Sequence, residues 1–178
     1  MLLIILDSCA RRGMPTGGEK DNTAPILVTA QPTHLTTNFK DKKIRLNFDE
    51  YIKLKNANQQ LIISPPMKHK PIITPAGAAS KYISIKILDT LKENTTYTFN
   101  FGNSIEDNNE SIPLKSFKYV VSTGDYIDSL KIAGNIKDAF KETTDENISV
   151  FLYEVTDEYN DSIIYNSRPD YITNSLDS

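Results

Sequence analysis

The sequence predicts an all-β protein in which an antiparallel β-sandwich is followed by part of a second β-sandwich. Three observations carry this. Short runs alternate apolar and polar residues with a period of two, the pattern of a half-buried strand. Clusters of proline, glycine and asparagine punctuate those runs at short intervals. Isoleucine, threonine, tyrosine and phenylalanine are abundant and suit a pleated surface, whereas alanine-rich helical stretches are missing. The 178 residues leave room for one domain plus part of another, and 39% hydrophobic with 24% charged residues describes a chain able to form a core.

The chain opens on the apolar run Leu2 to Leu6. A bilayer-crossing helix needs about 20 apolar residues, so this run is no transmembrane span, and it stops at Asp7-Ser8-Cys9. Residues 10–24 carry Gly13, Pro15, Gly17 and Gly18 among several charges, with no apolar period, and read as a flexible tether. Strands are predicted next at Ile26 to Ala30, Lys43 to Phe48, Gln60 to Ser64, His69 to Thr74, Tyr82 to Ile87, Thr96 to Phe101 and Phe117 to Ser122. Ile44, Leu46 and Phe48 share one face, with Lys43, Arg45 and Asn47 on the other. Ile83, Ile85 and Ile87 alternate with Ser84 and Lys86, and Tyr97, Phe99 and Phe101 with Thr98 and Asn100. Pro65-Pro66, Pro75-Ala76-Gly77, Glu93-Asn94 and Asp107-Asn108-Asn109 supply the turns. Seven strands within residues 25–124 fit an Ig-like sandwich rather than a βαβ fold.

A new unit, residues 128–178, starts after Thr123-Gly124-Asp125. Leu130 to Ile136 and Ile148 to Val155 are expected as strands, with shorter ones at Ile163 to Tyr165 and Tyr171 to Thr173. So few strands do not close a second core, and the expectation is a β domain truncated at Ser178.

The landmarks Phe48-Asp49-Glu50-Tyr51, Ile63-Ser64-Pro65-Pro66, Asn94-Thr95-Thr96-Tyr97, Phe101-Gly102 and Ser122-Thr123-Gly124 resemble bacterial Ig-like domains of the S-layer-protein type. Leu6-Asp7-Ser8-Cys9 resembles a bacterial lipobox, with an apolar residue three places before the cysteine and a small residue directly before it. It departs from that pattern in having no Lys or Arg ahead of the apolar run and in Asp7. The segment from Gly13 to Pro25 is similar to the start of mature Gram-negative envelope lipoproteins that carry this domain. That resemblance implies that residues 1–9 are the remnant of a lipoprotein signal and that Cys9 is lipidated. Ile132-Ala133-Gly134-Asn135-Ile136-Lys137-Asp138 is similar to the opening strand of a transthyretin-like or carboxypeptidase-regulatory-like sandwich. The family resemblances imply a fold and a location, without a reaction.

The residue inventory points away from catalysis. A nucleophilic triad needs a histidine beside Ser or Cys, and the two histidines, His34 in a turn-rich connection and His69 between two lysines, read as solvated surface residues. No G-x-S-x-G, H-E-x-x-H or Walker-type glycine loop occurs. Asp49 and Glu50 are adjacent and point to opposite faces, so they do not flank one substrate, and the pair is read as turning the chain and exposing charge. Glu106 to Glu110 could feed oxygen ligands to calcium but lacks the glycine and terminal glutamate of an EF-hand loop, so it reads as a plain hairpin loop. Neither a metal site nor a cofactor is expected. With 20 basic and 23 acidic residues scattered along the chain there is no basic stripe for nucleic acid.

Asp89-Thr90-Leu91, Asp128-Ser129-Leu130 and Asp161-Ser162-Ile163 look like bacterial envelope O-glycosylation signals, which makes Thr90, Ser129 and Ser162 candidate acceptors. Tyr82, Tyr97 and Tyr119 fall in strand patterns, where packing explains them better than sugar stacking. The expectation is a non-catalytic, lipid-anchored protein of the cell envelope, held at the outer membrane through Cys9. Its Ig-like domain would serve as a spacer or dock another envelope protein through an edge strand. Two other readings stay open: an accessory module that binds envelope polysaccharide, and the non-catalytic part of a larger hydrolase.

Overall fold

The computed structural model describes residues 18–140, 148–157 and 159–175. In chain order the sandwich comprises β1 (Leu27–Gln31), β2 (Lys43–Leu54), the short helix α1 (Ala57–Gln60), β3 (Ile62–Ser64), β4 (Ile72–Thr74), β5 (Ser80–Lys86), β6 (Thr96–Gly102), β7 (Ile105–Asp107) and β8 (Phe117–Ser122). A hairpin of β9 (Ser149–Leu152) and β10 (Tyr171–Asn174) comes next, with the helical turn α2 (Ile163–Asn166) between them.

One sheet has the order β1-β2-β5-β4, with β7 paired to the far half of β2, and the other has the order β3-β6-β8; every ladder is antiparallel. This division of seven main strands is that of an Ig-like constant-type sandwich. Residues 35–39 complete the second sheet by running parallel to β8. Leu35 N donates to Val120 O at 2.8 Å, and Ser122 N donates to Thr36 O at 2.9 Å.

Alternation decides what the two sheets trap between them. Ile44, Leu46 and Phe48 of β2, Ile83 and Ile85 of β5, Phe99 and Phe101 of β6, and Tyr119 and Val121 of β8 are buried. Burial of each such side chain contributes about 1.5–3 kcal/mol. Every buried side-chain nitrogen and oxygen among the described residues has a hydrogen-bond partner. The edge strands are blunted. β1, β3 and β4 are each followed directly by proline, at Pro32, Pro65 and Pro75, which brings no N–H to extend a ladder. At the exit Gly124 is buried against the Asn94 turn, where a Cβ would come within 3.1 Å of the Asn94 Cα, so a larger residue would push the two backbones a few tenths of an ångström apart.

Several expected boundaries are corrected. β2 runs on to Leu54 instead of stopping at Phe48, because beyond its pair with β1 at Phe48 it is joined by β7, while β5 still pairs at Ile52 after a register shift. Gln60 belongs to α1, and the strand expected from His69 begins at Ile72. Leu130 to Ile136 forms no ladder among the described residues, and Leu130 and Ile132 are 97% and 83% exposed. Ile163 to Tyr165 is helical rather than extended. The second β unit is represented by the β9–β10 hairpin alone among the described residues. It lies beside β3, with Ile172 N donating to Ser64 Oγ at 3.1 Å.

Candidate functional site

The chain enters and leaves the sandwich at opposite ends. Where it enters, Ile26 N donates to Asp49 Oδ1 at 2.8 Å, on the far half of β2. At the exit, Asn38 N donates to Gly124 O at 2.7 Å and Asp128 N to Thr96 Oγ1 at 2.9 Å, beside the start of β6. Six residue steps of β2 separate Lys43, at the exit end, from Asp49, roughly 20 Å at about 3.3 Å per residue. The sandwich therefore holds the segment before Ile26 and the segment after Gly124 apart by about half the length of β2.

Carboxylates gather at the end where the chain comes in. Asp49 and Glu50 lie inside β2 rather than at a turn, which corrects the reading that they turn the chain; they do point to opposite faces, Asp49 exposed and Glu50 half-buried. The segment expected as a plain hairpin loop is strand β7 as far as Asp107, which pairs with Ile52 and so lies near Glu50. Asp107 is 3% exposed, and its carboxylate accepts Asn109 N at 3.1 Å and Glu110 N at 2.6 Å. Burial would raise the Asp107 carboxyl, but the amide bonds from Glu110 and Asn109 outweigh it and hold the group below the ordinary aspartate value. Glu50 is pushed up to about 7, first by burial and then by its hydrogen bond to Asp107 and the charges of Asp107, Asp49 and Asp21. The Asp107 oxygens are occupied by their own turn, so the pair organises the β7 turn. No three His, Cys, Asp or Glu side chains among the described residues are arranged to hold a metal ion.

The exit end is tied by hydroxyls. Tyr97, near the start of β6, is buried, and its Oη accepts Lys92 N at 2.9 Å, closing the β5–β6 connection in the manner of the tyrosine corner of Ig-like folds. Burial raises its hydroxyl pKa, and that of Tyr119 is pushed up to about 12 for the same reason. Tyr119 Oη donates to Pro32 O at 2.7 Å. Both tyrosines are core residues, whereas Tyr82 is exposed with the Arg45 guanidinium over its ring at 3.6 Å. The histidines are exposed but not simply solvated. His69 Nδ1 lies 2.6 Å from Asp89 Oδ1 and its backbone N–H donates to Asp89 Oδ2, while His34 Nδ1 accepts Val120 N at 3.2 Å. No serine or cysteine stands in either pairing.

Thr90, Ser129 and Ser162 are all exposed: Thr90 in the β5–β6 connection, Ser129 after the exit and Ser162 just before α2. Cys9 lies outside the described residues. A cleft of about 360 Å³ between α1, β3 and the hairpin is lined by Leu61, Ile63, Met67, Ile73 and Ile172, with Lys70 and no histidine, cysteine or carboxylate.

The profile of the bacterial Ig-like domain matches residues 21–123, more than half of the chain. The chain belongs to the bacterial Ig-like domain family. The matched segment is the sandwich itself, from just ahead of Ile26 to the residue before Gly124. Bacterial Ig-like domains are generally non-catalytic and serve as structural or interaction modules, often in surface or extracellular proteins. No curated protein matches the chain.

Proposed function

We propose that this chain is a lipid-anchored cell-envelope protein, tethered to the outer membrane through acylated Cys9, in which the Ig-like sandwich is a spacer that also presents a docking surface. The separation of the two chain ends along β2 carries this reading. A sandwich that receives the tether at one end and passes the chain on at the other holds the next unit away from the anchor. The lipobox-like Leu6-Asp7-Ser8-Cys9 supplies the anchor, and several acyl chains together hold a protein on a membrane, each buried methylene contributing about 0.8 kcal/mol. The segment after Asp128, whose Ile132 to Asp138 resembles a transthyretin-like opening strand, is the unit being displayed. Thr90, Ser129 and Ser162 are on the surface, as O-glycosylation requires.

Mass spectrometry of the membrane fraction from cells expressing the full natural gene, beside a Cys9→Ala version, tests the anchor. Acyl mass on Cys9 that disappears in the variant is the expected result. A soluble, unmodified protein that retains Met1 removes the membrane address. The same intact-mass spectrum tests glycosylation: hexose-sized increments are expected, and their absence removes the three acceptors from consideration.

A further inference from the structure

The registers of the four-stranded sheet line its outward residues into cross-strand rows. Lys43 stands opposite Lys86, which stands opposite Ile72. Gln31, Arg45, Ser84 and Thr74 form the next row, and Thr29, Asn47 and Tyr82 the one after. The rows contain three cations and no carboxylate, on a chain whose net charge is -3. Like charges directly opposite each other in a sheet are destabilising, and neither Lys43 nor Lys86 pairs with a carboxylate among the described residues. Further along β2, Asp49 has its Oδ1 taken by Ile26 N. Asp89, in the loop after β5, is bound by His69, and Asp41 lies in the exposed turn before β2.

Between the lysine row and the tyrosine row Arg45 is pre-positioned. Its guanidinium carbon lies 3.6 Å from the Tyr82 ring centroid. Its Nε donates to Asn47 Oδ1 at 3.0 Å, and Asn47 Nδ2 donates on to Thr29 Oγ1 at 2.9 Å. Only Nε is used, so the two terminal nitrogens present their N–H groups without a protein acceptor among the described residues. A guanidinium held over a ring and steered by an amide has lost much of its freedom before any ligand arrives, and its planar fork matches a carboxylate.

We propose that this face binds an acidic polysaccharide, with Arg45 reading a sugar carboxylate and Lys43 and Lys86 attracting the charges that flank it. The surroundings choose the occupant. Around Arg45 stand amides and hydroxyls, from Gln31, Asn47, Ser84 and Thr74, suited to a hydroxyl-rich chain. A protein partner would need an apolar or aromatic anchor at the centre of the patch, and a lipid surface would need apolar side chains to insert. The central ring, Tyr82, is instead covered on one face by Arg45, while exposed Ile72 and Val28 lie on the two edge strands and exposed Tyr51 lies further along β2, away from the Arg45 row. The same cover blocks the stacking of a neutral sugar on that face, so charge rather than ring stacking sets the specificity. The proposal depends on the sandwich alone and stands whether or not Cys9 is acylated.

Affinity electrophoresis of the full chain through gels containing polygalacturonate, or neutral dextran as the control polymer, tests it. Retardation by polygalacturonate alone, relieved by added salt, is expected. Arg45→Ala should weaken binding roughly tenfold, the loss of one charge-assisted contact. Arg45→Lys, which keeps the charge and loses the fork, should recover only part of this. Lys86→Gln should weaken binding while raising the urea midpoint, because it relieves the opposition to Lys43; that combination separates a binding role from a folding defect. Lys118→Gln, on the other sheet, should change nothing. The proposal is overturned by equal mobility in both gels, by retardation that Arg45→Ala leaves intact, or by flotation with phosphatidylglycerol vesicles in place of polymer binding.

Discussion

Leu46, Ile83 and Ile85 in the sandwich, and Leu130, Ile132 and Val150 behind it, all come from runs that read as strand. The first three are fully buried, whereas Leu130 is 97%, Ile132 83% and Val150 38% exposed. The difference is the facing layer. Each sheet of the sandwich turns its apolar side to the other, and ten partly buried hydrophobics pack against the rim of that core. The β9–β10 hairpin has a regular ladder, from Tyr171 opposite Leu152 to Asn174 opposite Ser149, yet Phe151 remains 52% exposed because the ladder supplies hydrogen bonds and not a second layer. Alternation states which side of a strand can be buried; only an opposing layer buries it.

Core truncation gives this comparison its sharpest test. Phe99 is fully buried, and Phe99→Ala should cost about 3–5 kcal/mol in urea unfolding, through lost transfer energy and the cavity left behind. Ile132→Ala should change stability by less than about 0.5 kcal/mol. A loss at Ile132 comparable to that at Phe99 would break the contrast, by showing that residues 130–136 pack against something in solution.

A smaller effect separates two tyrosines. Tyr97→Phe removes the oxygen that accepts Lys92 N, and should destabilise the sandwich by about 1 kcal/mol. Tyr165→Phe, at a side chain 84% exposed, should leave the urea midpoint where it is. Equal midpoints for the two variants would mean that water replaces Tyr97 Oη at the β5–β6 connection without cost.

Much of the sandwich is legible in the sequence, and the failures have particular causes. β5, β6 and β8 could be read because every second residue is apolar over a full strand, as in Ile83, Ile85 and Ile87. The far half of β2 could not, because Glu50 occupies an inward position between Phe48 and Ile52 and interrupts the pattern. β7 has a single buried apolar residue, Ile105, in an otherwise acidic stretch. The pairing of residues 35–39 with β8 depends on a parallel contact across the molecule that no local pattern records. Ile163 and Ile164 carry strand propensity, but with no neighbouring strand among the described residues they close a helical turn after Asp161-Ser162. The Arg45 site was half legible. The alternation of β2 already set Lys43, Arg45 and Asn47 on the outer face, whereas the stack on Tyr82 and the opposition of Lys43 to Lys86 appear only once the register between β2 and β5 is known.

The β2–β7 end offers the smallest effect and the one with a distinctive pH signature. Glu50 titrates at about 7 in the folded protein, against an ordinary value of 4.5, owing first to burial and then to Asp107. Between those values the folded state holds a proton that the unfolded chain has released, so stability falls as pH rises through the window and levels off above it. Asp107 works in the opposite sense: its lowered carboxyl contributes stability above 3.8 that is lost as pH falls below it. Glu50→Gln, which stays neutral at every pH, should therefore match the parent near pH 5 and exceed it at pH 8 by no more than about 1 kcal/mol, because water screens a half-exposed carboxylate. Urea midpoints of parent and variant at both pH values give the answer. Curves that diverge at pH 5 instead would mean that Glu50 is ionised there in the folded protein and that the β2–β7 end is held by its charge rather than its proton.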